Sequence, residues 1–235
     1  LIRTTRWRID SGFNRAWWGM EEKGFRQPGS PKPRPGSPEP GGQSVFPGTY
    51  KMVITMGRES DSTFITVKDD PRSGNKNDVK KAQRAMAARL RKSTDKLTES
   101  MDRLTEASDL LSKMSAQLQN VEGKEADSLR KTTRALQDSV RLIREFISGK
   151  TSDRQGISRS QDPTVMTRVQ EANQYIGAKP VVPGEQEERL LSIAEKQIDI
   201  AVKKTNSLFE GKWKEYRKQV ESTRINLFKD YSPIQ

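Results

Sequence analysis

Apolar and polar residues repeat with two different periods along this chain, and the change falls near residue 73. Before it, the spacing is two. Arg6-Trp7-Arg8-Ile9 alternates basic and apolar residues, and Tyr50 to Met56 places Tyr50, Met52, Ile54 and Met56 on one face. Phe64-Ile65-Thr66-Val67 is aromatic and β-branched, and residues 57–61 before it form a polar stretch of hairpin-loop length. Ser11-Gly12 separates the first run from Arg15-Ala16-Trp17-Trp18-Gly19-Met20, so four strands are expected. After residue 73 the spacing becomes helical. Leu90, Leu97, Leu104, Leu111 and Leu118 recur every seven residues with Met86, Met101 and Met114 between them, and Asn75, Asn77 and Asp78 offer N-caps. Leu129, Leu136 and Ile143 repeat the spacing after Gly123, with Val140 and Ile147 on the same face.

Residues 149–161 are polar and serine-rich and read as a loop. Pro163 fits the first turn of a shorter helix carrying Met166, Val169 and Ile176 and ending near Gly177. Past Pro180 and Pro183, the stripe Leu191, Ala194, Ile198, Ala201, Thr205, Leu208 continues through Trp213, Tyr216, Val220 and Leu227. The spacing predicts helices over about 77–121, 124–148, 163–177 and 185–230. The expected fold is α+β and multidomain. Residues 1–73 form a partial antiparallel β-sandwich of immunoglobulin or fibronectin III type. Residues 74–235 form an antiparallel helical bundle of three long helices and one short one. Such a sandwich needs about seven strands, so its first strands are expected upstream of Leu1. The heptad leucines could also zip to another protein; complementary stripes on helices of matched length favour packing within the chain.

Between the second and third expected strands lies a Pro/Gly-rich segment, 27–47, holding seven of the twelve prolines. It is expected to be an extended, mobile excursion that pairs with no sheet. Its PxxP-like spacing at Pro28-Gly29-Ser30-Pro31 suits either a recognition motif or a plain spacer, and the spacer is the commoner use.

Composition narrows the chemistry. The 235 residues contain no cysteine and no histidine, which removes thiolate and histidine-based nucleophilic catalysis and histidine-containing zinc sites. Hydrophobic and charged residues each make up 31%, lean for one thick core and suited to slender helices burying one stripe each. A net charge of +12 and a pI near 9.9 raise polyanion binding. The cations are nonetheless interleaved with acids, as at Arg103 and Glu106 or Lys196 and Asp199, so nucleic acid is not the expected partner. No apolar run approaches the ~20 residues of a membrane span.

Candidate sites are few. Glu21-Glu22, Asp69-Asp70 and Glu187-Glu188 are sequence neighbours rather than carboxylates facing across a cleft, and Glu187-Glu188 complements a helix dipole. Asp69 and Asp70 lack the alternating ligands of a calcium loop. No glycine-rich loop positioned to cradle a phosphate opens a helix. Trp213 and Tyr216 could form a sugar platform or pack in the core. No residue is assigned as catalytic, cofactor-binding or metal-ligating, and no cofactor is expected.

One ordered set of motifs is more specific. Gly12-Phe13-Asn14-Arg15 with Trp18, then Pro47-Gly48-Thr49-Tyr50, then Val67-Lys68-Asp69-Asp70-Pro71-Arg72, and finally Pro163-Thr164, resembles the C-terminal region of bacterial BNR-repeat, sortilin-like β-propeller proteins. These are common in Bacteroidetes and often labelled glycosyl hydrolases. The match is strong over residues 1–72 and looser over the helices; segment 27–47 is longer here than in the family. The same residues also have plain structural uses: Gly12 and Asn14 for a turn, Trp18 as a core plug, Asp70-Pro71 to end a strand, Arg72 to pair with Asp69 or Asp70.

The resemblance implies an immunoglobulin-like domain of the flagellar hook-capping type followed by helices. It implies an extracytoplasmic setting: secreted, periplasmic or outer-membrane associated. The expected function is a non-catalytic accessory module that packs on an upstream β-propeller of the same polypeptide and serves as spacer or docking arm, with another envelope protein as a further partner for the bundle. Two alternatives stand beside it: positioning substrate for a glycosyl hydrolase whose active site lies upstream, and polyanion binding by the basic helices.

Overall fold

A computed structural model describes residues 1–72, 76–119, 121–150 and 162–223. Among the described residues four strands come first, β1 (Glu21–Lys23), β2 (Gly41–Ser44), β3 (Gly48–Met56) and β4 (Glu59–Val67), and five helices follow, α1 (Asn77–Leu118), α2 (Lys124–Ser148), α3 (Val165–Ala178), α4 (Glu185–Glu210) and α5 (Lys212–Ser222). The fold is α+β.

Helix α1 is 42 residues, about 63 Å at 1.5 Å per residue. Helix α2, at 25 residues, and α3, at 14, span about 37 and 21 Å. Together they match α1, and they are arranged end to end along it. Arg130 near the start of α2 donates to the carbonyls of Leu118 and Val121, so α2 begins where α1 ends. Gln83 near the start of α1 donates to Lys179 O just past α3, so α3 ends where α1 begins. Helix α4 starts beside the start of α1, fixed by Arg89 on Glu188 and Glu195, and α4–α5 continues parallel to α1 along its length. The bundle is therefore three columns wide: α1, α2 followed by α3, and α4 followed by α5.

The five heptad leucines of α1 are all buried, together with Leu129, Leu136, Val140 and Ile147 of α2, Val169 and Ile176 of α3, and Leu191, Ala194, Ile198, Ala201 and Leu208 of α4. Full burial of each such side chain is worth about 1.5–3 kcal/mol. Thr94, Thr133 and Thr205 sit in the same core because each hydroxyl donates to the carbonyl four residues back.

Several expectations are corrected. The fourth helix is interrupted: Gly211 leaves helical geometry at φ −102°, ψ −102°, dividing α4 from α5. Its extension over residues 224–230, with Leu227, lies outside the described residues, as do Asn75 and residues 151–161 of the expected loop. The N-cap of α1 is Lys76, with no side-chain cap bond; Asn77 and Asp78 fall inside the first turn. Thr164 rather than Pro163 opens α3, its hydroxyl accepting from Thr167 N at 3.1 Å.

The strand region differs more. Residues 6–9 and 15–20 form no strands: an alternating pattern needs a continuous ladder partner, and among the described residues the one strand-like backbone bond there is Val45 N to Met20 O at 2.8 Å, at the edge of the β1–β2 pair. The strands there are make two separate two-stranded antiparallel sheets, β1–β2 and β3–β4, and among the described residues they do not close into a sandwich. The β3–β4 loop is only Gly57-Arg58, with Gly57 at φ +61° as in a type II′ turn, so residues 59–61 are strand.

Segment 27–47 is not a free excursion. Its residues Gly41–Ser44 are β2, paired with β1, because Gly24 and Gly42 let two backbones approach where a side chain would not fit. A Cβ on Gly24 would lie 2.0 Å from Gly41 O, and one on Gly42 2.6 Å from Glu22 O. The rest of the segment is strapped onto α1. Arg26, just before the segment and bonded to Ser30 O within it, forks onto the Asp102 carboxylate, a hydrogen bond that raises its pKa. Lys32 pairs with Glu106 at 2.5 Å, and Pro28 and Val45 are buried. At the other end Arg84 pairs with Glu22 at 2.8 Å and stacks 4.0 Å over Phe46, while Lys80 pairs with Asp69 at 2.7 Å.

Candidate docking surface

The strand region carries a slot of about 410 Å³ between the N-terminal segment and β3. Leu1, Ile2, Arg3, Thr4, Thr5 and Trp7 form one wall, Tyr50 to Ile54 with Ile65 form the other, and Trp18 closes one side. The alternation of β3 and its register with β4 put Tyr50, Met52 and Ile54 on one face with Ile65.

Two aromatic residues brace the slot. Trp18 Nε1 donates to Glu21 O at 3.0 Å, and Tyr50 Oη donates to Phe46 O at 2.5 Å. Their rings meet edge to face, with centroids 5.6 Å apart. The expected core role of Trp18 is thus met in part: it packs on Tyr50, half-buried, at the edge of the slot.

Charges fasten the N-terminal wall. Arg3 pairs with Glu21, and its guanidinium also donates to Glu39 O at 3.2 Å. Glu39 accepts from Lys23 at 2.7 Å and from Thr4 N at 2.9 Å; the Lys23 bond first, then the backbone bond, hold its carboxyl below the usual carboxylate range. Arg3 Nε is buried and has no hydrogen-bond partner among the described residues. Such a donor can be satisfied by an acceptor on whatever enters the slot.

The strand region leaves several large apolar side chains exposed. Phe13 is 92% exposed, Trp17 74%, Phe64 69%, Val53 57% and Ile54 53%. Phe13 stands at the tip of a loop pinned by the Asn14 side chain, which accepts from Asp10 N and donates to the carbonyls of Asp10 and Gly12. Large apolar residues left exposed in one region mark an interaction surface.

The candidate carboxylates go elsewhere. Glu21 serves Arg3, Glu22 serves Arg84, Asp69 serves Lys80, Asp70 serves Arg72 and Glu188 serves Arg89. Glu187 accepts from Gly184 N at 2.8 Å in the first turn of α4, a bond that lowers its pKa. Tyr216 is buried, its hydroxyl 2.8 Å from that of Thr133, and Trp213 packs edge to face on Phe209, so the pair is core rather than a sugar platform. Among the described residues no group of three acidic side chains could hold a metal ion, and no helix is long and apolar enough to cross a membrane.

No family model, curated protein or solved structure matches the chain.

The sequence pattern pointed to Trp18, Tyr50, Met52 and Ile54. It gave no role to Leu1–Thr5 or to Glu39, which sits inside the proline-rich segment. Glu39 between two prolines was the available signal: a lone acid in a stretch with Lys32 and Arg34 has something basic to meet.

Proposed function

We propose that this chain is a non-catalytic interaction module of a secreted or cell-envelope β-propeller protein. Its strand layer packs on the propeller of the same polypeptide, and the bundle serves as spacer or docking arm. On this reading the apolar strand layer is completed to an immunoglobulin-like sandwich by strands lying outside residues 1–235. One observation carries the proposal: the helical bundle buries its own apolar stripes, while the slot and the β3–β4 hairpin leave Val53, Ile54 and Phe64 uncovered. An isolated two-stranded hairpin is marginal in water, so its long apolar strands are best explained by a covering partner. The carboxylates engaged in structural pairs support a non-catalytic role.

Ile54→Lys tests it. In residues 1–235 alone the change should alter stability by no more than about 0.5 kcal/mol, because Ile54 is already exposed. In the intact polypeptide it should detach the module, read as faster proteolytic cleavage around residue 72. Equal cleavage of parent and variant would count against packing through this face.

A further inference from the structure

The loop from Asp10 to Asn14 stands out from the strand region and is held in one shape. Asn14 closes it through its side chain, which accepts from Asp10 N and donates to the carbonyls of Asp10 and Gly12. Gly12 turns the chain at φ +99°, and a Cβ there would meet nothing within 4 Å. Phe13 follows at the tip. Every residue from Arg6 to Trp17 is exposed, including Ile9 just before the clip and Trp17 three residues after it. At about 3.5 Å per residue, both lie within roughly 10 Å of the clip. The closure by Asn14 keeps the phenyl ring from folding back onto the protein.

The cations beside this tip are free of acids. Before β3 the acids are Asp10, Glu21, Glu22 and Glu39, and the last three are engaged by Arg3, Arg84 and Lys23. Among the described residues Arg8 and Arg15 meet no carboxylate, and Arg15 lies 6.0 Å from the Trp17 ring. A projecting apolar tip flanked by arginines complements a flat surface that is anionic outside and apolar beneath. A nucleic-acid strand would instead be stacked along a basic groove, and Ile9 has no ring face to offer it.

We propose that loop 10–14 is a membrane-surface anchor: Phe13, with Ile9 and Trp17, enters the boundary between headgroups and acyl chains of an anionic bilayer, while Arg8 and Arg15 pair with lipid phosphates. Tryptophan and arginine both suit that depth, one end apolar and the other wet. Neither contribution holds a protein alone; apolar insertion and charge attraction act together. Because the loop is already closed, insertion does not have to order it. None of Arg8, Ile9, Phe13, Arg15 and Trp17 lines the slot, so the anchor is independent of the docking reading above.

Vesicle sedimentation with residues 1–235 tests the anchor. Binding should be about tenfold or more tighter to mixed phosphatidylglycerol and phosphatidylcholine vesicles than to phosphatidylcholine alone, and should weaken as salt rises. Phe13→Ala, and separately Arg8→Glu combined with Arg15→Glu, should each reduce it about tenfold or more. Helical circular dichroism and its thermal midpoint should not change, since all three side chains are exposed. No vesicle binding overturns the proposal, as does equal binding to both compositions. An effect of only one variant overturns it too: loss with the arginine pair alone, with oligothymidylate competing for the protein, would mark a general polyanion site without insertion.

Discussion

Glycine shows how far single residues could be read. Gly24 and Gly42 lie in or beside a segment whose composition signals a mobile spacer, yet they work by letting β1 and β2 come together. Composition cannot separate these two uses of glycine, because the second depends on a backbone about twenty residues away. Gly42→Ala would put a methyl group 2.6–2.9 Å from the backbone of residues 22–24. Overpacking of this kind costs about 1–3 kcal/mol. The expected outcome is faster amide exchange at Gly24, bonded to Pro40 O, and at Val45, bonded to Met20 O. Unchanged exchange at both would mean that the strands tolerate separation. The buried leucines were easier to read, since a seven-residue repeat names its own face without knowledge of the partner.

Among elements, helices were legible and strands less so for the same reason. A helix satisfies its hydrogen bonds internally, so α1 and α2 follow from local pattern, with bounds close to expectation. A strand needs a distant ladder partner. Trp7 and Trp17 belong to strand-like runs that lack one, while β2 arises where prolines seemed to forbid it. The proline-rich strap is held by charges of unequal worth. Arg26–Asp102 is bidentate, with side chains 23% and 18% exposed, whereas Lys32 and Glu106 are 62% and 66% exposed. Asp102→Ala should cost about 1–3 kcal/mol and open the chain near Arg26 to protease. Lys32→Ala should cost less than about 1 kcal/mol. If thermal unfolding and proteolysis show the two variants alike, the strap is held by something other than the Arg26 fork.

At the scale of the whole molecule, a self-contained three-column bundle carries a strand layer that is fastened to α1 but leaves apolar side chains such as Val53, Ile54 and Phe64 uncovered. The even composition suggested slender helices, and the bundle has that form. The end-to-end stacking of α2 and α3 was not legible, because helix lengths alone do not say which helices share a column. The absence of histidine and cysteine bounded the chemistry from the start, and the pairing of Glu22, Asp69, Asp70 and Glu188 with cations gives most of the candidate carboxylates a structural use. What the strand layer meets is the central question. Hydrogen–deuterium exchange over Leu1–Trp7 and Tyr50–Ile54, compared between residues 1–235 alone and the intact polypeptide, addresses it directly. Packing of another domain into the slot should slow exchange there by about tenfold or more while leaving α1 unchanged. Identical exchange in both contexts would contradict a docking role for this face.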